Sequence, residues 1–273
     1  MIKKFLWIPA ALLMVTFLAV SWRSGATNNS DKTVHNSSVA AASTAKSLST
    51  EGQFAQFATN VYDEAQLSTT GLDEGVFQKA LTGFYNLKAA HKLPQGSNII
   101  TVVDLSKSSC TKRMWIVDVL NHKLLLNTWV AHGQGSGDDI ANHFSDTNES
   151  HQSSLGFYVT DDIYFGKHGR SLRLDGMDEG FNSHARQRAV VLHAADYVSQ
   201  ATINTLGRLG RSFGCPAVSP LVIDYVINTL KGKTMLFING NDNHYNSKYL
   251  NTTMAAGLAL AGNNTAAADS AAM

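Results

Sequence analysis

Cysteine is scarce in this chain, whose 273 residues include only two. Two cysteines allow at most one disulfide, and the folded part, about 190 residues by composition, is long enough to bury one substantial core. An excess of either charge is also lacking, because 22 basic residues face 21 acidic ones, for a net charge of +1 at pH 7. No basic stripe is present either, which argues against nucleic acid as a partner.

Motifs for metals and nucleotides are missing as well. Despite ten histidines, the sequence has no His-Glu-x-x-His and no tight His, Asp and Cys cluster at zinc-ligand spacing. It therefore predicts no catalytic metal. It also has no Gly-x-x-x-x-Gly-Lys segment to cradle phosphates, and we predict no cofactor.

The one long apolar run lies near the N-terminus, from Phe5 to Val20, directly after Lys3 and Lys4. This layout is typical of a bacterial secretory signal, which we assign to residues 1–26. The run is at or below the minimum length of a membrane-spanning helix, which favours cleavage over an uncleaved anchor. We expect export to the periplasm or cell envelope, with membrane contact only through this segment.

Composition divides the rest of the chain into four segments. Residues 27–50 are rich in Ser, Thr, Asn and Ala, which predicts a disordered linker. Apolar residues at three- and four-residue steps in residues 51–95 predict two helices, with Asp73 capping the second. Residues 97–240 carry short β-branched and apolar runs. Residues 241–273 form a low-complexity tail that we predict to be mobile.

The predicted fold class follows from residues 97–240. Runs of strand length succeed one another, and the first of them are joined by short turns. This order indicates an antiparallel, mainly β domain, a sandwich or barrel, rather than a parallel α/β sheet. The predicted strands are 99–105, 113–120, 123–130, 157–160, 171–174, 189–193 and 234–238.

Cys215 stands in a glycine-flanked turn, within Arg211-Ser-Phe-Gly-Cys-Pro-Ala-Val218. Ser219, Pro220 and the apolar residues that follow predict a helix directly after the turn. The positive end of a helix dipole favours thiolate over thiol, so we expect a reactive cysteine. The alternative is that Cys215 is a small buried core residue.

His193 is the predicted base for this thiol. It ends the apolar run 189–193, a predicted buried strand that would hold the imidazole rigidly. Gly214 lets the backbone approach a bound carbonyl, so the amides of Gly214 and Cys215 are candidate oxyanion donors. Ser212 is a candidate to orient the imidazole or bind a substrate amide. A histidine that ends a strand is also commonly structural, and that alternative stays open.

Glycine- and histidine-containing loops between residues 131 and 187 predict a binding cleft. Tyr158, His168 and Arg170 are candidates to bind peptide carbonyls or a carboxylate, because arginine suits planar, bidentate anion contacts. His132 and Arg211 are further candidate substrate-binding residues. Taken singly, each of these is equally well explained as an ordinary surface-loop residue.

His193 and the segment 211–218 together resemble the signature of the L,D-transpeptidases, the YkuD-type enzymes of bacterial cell walls, in which a histidine precedes a [Ser/Thr]-x-Gly-Cys turn. The resemblance covers residues 97–240 and implies an L,D-transpeptidase catalytic domain. The two helices predicted from periodicity in residues 51–95 would precede it as a short N-terminal helical segment. Further segments resemble the divergent murein L,D-transpeptidase catalytic domain subgroup, namely 131–137, 153–158, 166–174 and 191–198.

The resemblance also implies a chemistry. Cys215 matches the nucleophile, His193 the general base, Ser212 the hydroxyl residue of the motif, and Gly214 the glycine that faces the acyl oxygen. The implied substrate is a peptidoglycan stem: a tetrapeptide donor is cleaved through a thioester, and the acyl group passes to an amine or to water. Transpeptidase and carboxypeptidase activity both remain open.

This sequence departs from the family pattern near the cysteine. Phe213 stands where most members have histidine, Pro216 and Ala217 where they have an aliphatic residue and arginine or asparagine, and Ala194 replaces a small polar residue or glycine. These departures bear on the acyl acceptor. Two rival functions stay open: a non-catalytic cell-wall-binding domain that keeps the fold, and a zinc-dependent peptidase.

Cys110 is the second cysteine. In an oxidising compartment it could pair with Cys215 and silence the nucleophile. It lies in the polar turn 106–112, which we expect to face solvent, and this placement favours a free Cys215.

Overall fold

The structure is a computed structural model that describes residues 48–271, with side chains up to residue 261. The predicted secretory signal and nearly all of the predicted linker lie outside the described residues. Within residues 48–271, no helix is both long enough and apolar enough to span a membrane.

Two helices form in the segment where the sequence predicts them. Helix α1 spans Thr50–Glu64 and helix α2 spans Glu74–Ala89. Asp73 caps α2, as predicted, because its carboxylate accepts a hydrogen bond from the Val76 amide at 3.0 Å. The helices pack on the sheet, and Trp115 donates to Thr70 at 2.9 Å.

Eight strands follow the two helices: β1 (Ile99–Asp104), β2 (Met114–Asp118), β3 (Lys123–Thr128), β4 (Gly156–Gly166), β5 (Gly169–Gly176), β6 (Val191–Ala194), β7 (Ala217–Val218) and β8 (Met235–Asn239). Three further helices are α3 (Gln200–Leu206), α4 (Ile223–Leu230) and α5 (Thr252–Ala271). Helix α3 lies between β6 and β7 in the chain, α4 lies between β7 and β8, and α5 ends the described chain. The strands form one sheet in the order β3-β2-β1-β8-β4-β5-β6-β7.

The mainly β fold class is confirmed. Five strand pairings are antiparallel. Two pairings are parallel: β1 with β8, and β6 with β7. The short turns in the sequence did not predict these parallel pairs. Just after β3, Ala131 bridges to Ala217 of β7 and Gly133 bridges to Ser212. These bridges bring the two ends of the sheet together into a nearly closed, barrel-like arrangement.

The sheet separates two hydrophobic clusters. Successive residues of a strand point to opposite faces, so in β1 Ile100 and Val102 pack towards α1 and α2 while Val103 packs on the other side. Helix α4 covers that second side through Val226 and Leu230. The turn that contains Cys215 lies beside this second cluster, which Cys215 contacts.

The prediction of a mobile tail is wrong for its described part. Helix α5 packs against α1 and α2 through Ala255, Ala256 and Ala259, all buried. The side-chain amide of Asn86 donates to the carbonyls of Tyr249 (2.6 Å) and Asn251 (2.9 Å), at the point where the chain enters α5. The buried face consists of alanines, which give only a weak amphipathic signal in the sequence.

Two glycine substitutions test how the helices dock. Gly83 of α2 faces the ring of Phe157, and an added Cβ would overlap that ring. Gly83→Ala is expected to lower the free energy of unfolding by about 1–3 kcal/mol, because overpacking forces the helix off the sheet. Gly257→Ala in α5, where nothing lies within 4 Å of an added Cβ, is expected to raise it by up to about 1 kcal/mol. Urea unfolding measures both, and a shift of the same sign for both would contradict this packing.

Candidate active site

A cleft of about 540 Å³ holds the predicted catalytic pair. It lies between the tip of the β4–β5 hairpin, the segment that enters β6, and the cysteine turn. Its lining includes Lys167, His168, Arg188, His193, Arg211 and Cys215.

Strand pairing brings the histidine and the cysteine together. His193 of β6 lies opposite Ala217 of β7 in a parallel pair, and its amide donates to the Pro216 carbonyl at 3.3 Å. Cys215 precedes Ala217 by two residues and lies next to Val191, whose amide donates to the sulfur at 3.5 Å. The pairing of β6 with β7 therefore brings His193 close to the turn that holds Cys215.

The helix predicted directly after the cysteine is wrong in its start. Residues 217–218 form β7, a turn follows, and α4 begins only at Ile223. Ser219 and Pro220 are therefore not its cap and first residue, and Leu221 is 94% exposed. Cys215 gains no stabilisation from a helix dipole, because the competing strand pairing with β6 uses the residues next to it.

Burial raises the pKa of the Cys215 thiol above its ordinary value, since a desolvated thiolate is disfavoured. The Val191 amide and the positive charges of Arg188 and Lys167 act in the opposite direction and offset part of this effect. The thiol is thus protonated at neutral pH, and a nearby base is required to ionise it.

His193 has the protonation state of a base. Burial lowers its pKa, which is lowered further by His168 and Lys167, so the imidazole is neutral near pH 7. Its Nδ1 lies 2.9 Å from the Ala194 carbonyl, which can only accept. The proton is therefore on Nδ1, and Nε2 keeps a free lone pair.

The ring of His193 is held from one side by His168. The two imidazoles stack with centroids 4.3 Å apart and planes 27° from parallel. Among the described residues, no hydrogen bond joins the His193 ring to the thiol, which has Ala189 O as a distant acceptor at 3.9 Å.

Ser212 closes the cysteine turn. Its hydroxyl donates to the Cys215 carbonyl at 2.6 Å and accepts from the Gly214 amide at 3.1 Å. Within residues 48–271 the hydroxyl makes no hydrogen bond to the imidazole, so it does not orient the ring, but Ser212 does line the cleft. The Gly214 amide is occupied, because it donates to the Ser212 hydroxyl. Of the two predicted oxyanion donors, only the Cys215 amide therefore has no partner in the described part of the chain.

Gly214 is required for a conformational reason. Its φ of +123° is strained for any residue with a side chain, and an added Cβ would stand 2.8 Å from the Gln152 carbonyl. Ser153, in the segment that faces Gly214, also holds this turn in place. Ser153 accepts from the Gly133 amide at 3.0 Å and donates to the Gly214 carbonyl at 3.1 Å, which fixes the turn against the loop.

Arg188 is a cleft residue that the sequence reasoning missed. Its buried guanidinium donates to the carbonyls of Ser145 (2.7 Å) and Gln152 (2.9 Å) and to the hydroxyls of Ser150 and Ser154. It thus ties the loop 145–154 to the floor of the cleft. No local motif marks this arginine, because all of its partners are distant in sequence.

Of the five predicted substrate-binding residues, His168 and Arg211 line the cleft and three do not. Tyr158 is fully buried, its hydroxyl donates to Ser154 O at 2.9 Å, and burial raises its pKa. Arg170 is held against α4 by Asp224 at 2.7 Å and Asn228 at 2.8 Å.

His132, the third residue outside the cleft, is a buried structural histidine. Its Nδ1 accepts from Arg113 at 2.7 Å, and its Nε2 lies 3.3 Å from the Gly137 carbonyl. Burial and the charge of Arg113 lower the pKa of His132 to about 4. The neutral ring therefore satisfies a buried guanidinium and cannot meet a substrate.

This histidine should make stability depend on pH. The folded state holds the His132 ring neutral down to about pH 4, whereas the unfolded chain protonates it near the ordinary histidine pKa of 6.5. The stabilisation is present above pH 6.5 and is lost as the pH falls towards 4, by about 3 kcal/mol. Urea midpoints between pH 7 and 4 should therefore fall more steeply for the native protein than for His132→Gln. Equal slopes would contradict the assignment.

Phe213 is a second missed cleft residue. Its ring is 62% exposed, stacks on His151 with centroids 4.5 Å apart, and has the Lys167 ammonium 5.9 Å from its centroid. An aromatic surface with a cation beside it therefore forms part of the rim next to Cys215. The sequence marked Phe213 only as a departure from the family pattern.

Both cysteines are free thiols in the described structure. Cys110, expected to face solvent, is partly buried, and its thiol donates to the Gly207 carbonyl at 3.1 Å. It does not line the catalytic cleft.

Solved structures similar to this chain include three bacterial L,D-transpeptidases. That of Mycobacterium smegmatis is 11% identical over 53% of this chain and 60% of its own, with a TM-score of 0.33. Mycobacterium tuberculosis L,D-transpeptidase 1 is 12% identical over 53% and 63%, with a TM-score of 0.31. A Xylanimonas cellulosilytica L,D-transpeptidase is 13% identical over 65% and 91%, with a TM-score of 0.33.

The chain spans 60% of the first of these structures, and no curated protein matches its sequence. A family model described as the L,D-transpeptidase catalytic domain matches residues 68–239, which is more than half of the chain and includes α2 as well as the sheet. This protein therefore belongs to the L,D-transpeptidase catalytic domain family.

Proposed function

We propose that this protein is a cysteine acyltransferase that acts on peptidoglycan stem peptides. The observation that carries the proposal is the shared cleft of Cys215 and a neutral His193, in a chain of the L,D-transpeptidase family. The substrate is a tetrapeptide stem, cleaved between meso-diaminopimelate and the terminal D-alanine.

In the first half of the reaction, Nε2 of His193 takes the thiol proton while the sulfur attacks the diaminopimelate carbonyl. Because the thiol pKa is raised and the histidine pKa is lowered, proton transfer is unfavourable before attack and is coupled to it. The Cys215 amide donates to the developing oxyanion. The carbon–nitrogen bond then breaks, His193 returns the proton to the departing D-alanine amine, and a thioester remains on the sulfur.

The second half decides the product. An amine of another stem attacks the thioester and gives a cross-link, or water attacks and gives a shortened stem. In either case His193 accepts the proton of the attacking group, the carbon–sulfur bond breaks, and the proton passes to the departing Cys215 sulfur. Incubation with defined tetrapeptide muropeptides and mass analysis of the products distinguishes the two. A dimer shows transpeptidation and a tripeptide shows carboxypeptidation. The absence of both, with no acyl-enzyme, would contradict the proposal.

We further propose that the protein works outside the cytoplasm, in the periplasm or cell envelope. Peptidoglycan is found there, and the apolar run from Phe5 to Val20 after two lysines supports export. Comparison of the mature N-terminus with the sequence, by mass, tests whether residues 1–26 are removed.

A second candidate is a non-catalytic cell-wall-binding domain. It is favoured by the raised pKa of Cys215 and by the lack of a hydrogen bond between thiol and imidazole within the described residues. Alkylation with iodoacetamide under native conditions separates the candidates. Selective labelling of Cys215 supports the enzyme, and an inert thiol supports the binding domain.

A further inference from the structure

The cleft beside Cys215 is positively charged. Lys167, Arg188 and Arg211 contribute to its lining, and no aspartate or glutamate of residues 48–271 does. A partly enclosed site lined by one sign of charge concentrates ligands of the other sign. The electrostatics of the cleft therefore favour an anionic ligand.

Arg211 offers an open edge to such a ligand. Its Nη1 donates to the Gly137 carbonyl at 2.7 Å and to Asp138 at 2.8 Å. Its Nε and Nη2 have no acceptor among the described residues. One edge of the guanidinium is thus anchored, and the other presents two parallel N–H donors, the geometry that binds a carboxylate in bidentate fashion.

Asp138 does not cancel the charge of this arginine. Its carboxylate is 81% exposed, and an exposed ion pair contributes little attraction. Lys167 has no carboxylate partner in the described part of the chain, whereas the guanidinium of Arg188 donates four hydrogen bonds to one loop. Arg211 and Lys167 are therefore the two cations left for a ligand.

We propose that this cleft selects stem peptides with a free carboxylate close to the scissile amide, bound by the Nε–Nη2 edge of Arg211 with Lys167 as a second cation. The inference rests on the proposed function, because it names the substrate class of the same site. Two carboxylates of the stem have the required chemistry: the terminal one of D-alanine and the side-chain one of meso-diaminopimelate.

The test measures peptide binding rather than turnover. The full chain carrying Cys215→Ala is titrated calorimetrically with three tetrapeptide stems: the free acid, the D-alanine amide, and the diaminopimelate side-chain amide. We expect one amide to bind about tenfold or more weakly than the free acid, because a charge-assisted hydrogen-bonded contact is lost. The weakened amide identifies the carboxylate. Equal affinity for all three peptides, or binding of none, would overturn the inference.

Variants of the arginine make the test specific. Arg211→Gln in the same background should remove the preference for the free acid, and Arg211→Lys should keep part of it, because the charge remains and the fork is lost. Arg208→Gln is the matched control. It removes the same charge 3.9 Å from Asp138 but outside the cleft, and should leave the preference intact. A preference that survives Arg211→Gln would also overturn the inference.

Turnover by the unsubstituted chain is measured in parallel and reports on the proposed function alone. A selective but inactive protein would contradict the acyltransferase and leave the carboxylate site standing. An active protein with no preference between acid and amide would contradict only the carboxylate site.

Discussion

Replacing Cys215 by alanine is expected to abolish turnover of tetrapeptide stems, a loss of about 10⁴-fold or more, because no other group in the cleft can form the thioester. The sulfur accepts a hydrogen bond from the Val191 amide and lines the cleft, and the substitution removes this one heavy atom. Product formation by mass spectrometry measures the loss.

Cys110→Ala is the matched control for this experiment. Cys110 is also a free, partly buried thiol, but it lies outside the cleft and donates to a loop carbonyl. Full turnover is expected for this variant. Full turnover by Cys215→Ala, or loss of turnover in Cys110→Ala with an intact fold, would contradict the assignment of the nucleophile.

Replacing His193 by glutamine is expected to lower kcat/KM by about 10²–10⁴-fold, the usual contribution of a positioned general base. The effect should be large here because the thiol pKa is raised and little thiolate forms without a base. Iodoacetamide labelling of Cys215 should slow in the same variant. His184→Gln, which changes an exposed histidine paired with Asp146 outside the cleft, should leave both rates unchanged.

His193 should also set the acidic side of the pH profile of activity. Activity needs the neutral imidazole, and burial, His168 and Lys167 all lower the pKa of His193. The midpoint of the acidic limb of the kcat/KM profile should therefore lie below pH 6.5, the ordinary pKa of histidine. An acidic limb above pH 6.5, or a His193→Gln variant with unchanged turnover, would contradict this role.

The sequence identified the candidate residues of the site better than their arrangement in space. The cysteine turn and the preceding histidine are local patterns, and the structure places both in one cleft. The parallel pairing of β6 with β7 that brings them together is a non-local contact, and spacing alone cannot supply it. The same pairing displaced the predicted helix start, since strand formation at Ala217 competes with helix formation after Ser219.

The predictions that failed concern the direction in which side chains point. His132 lies in a glycine-rich segment that suggests a cleft loop, but Arg113, the residue before β2, holds its ring in the interior. Arg170 sits two residues from His168 on the same hairpin, yet it turns towards α4. The sequence gives the residue types of such loops, whereas the face that each side chain occupies depends on partners distant along the chain.

The proposed reaction depends on a thioester between Cys215 and the stem peptide. The full chain is mixed with a tetrapeptide stem, quenched in acid, digested and mapped by mass spectrometry. We expect the acyl group of the stem, without its terminal D-alanine, on the peptide that contains Cys215. Continued turnover with an unmodified Cys215 at every quench time, or an adduct found on Cys110 instead, would contradict the account.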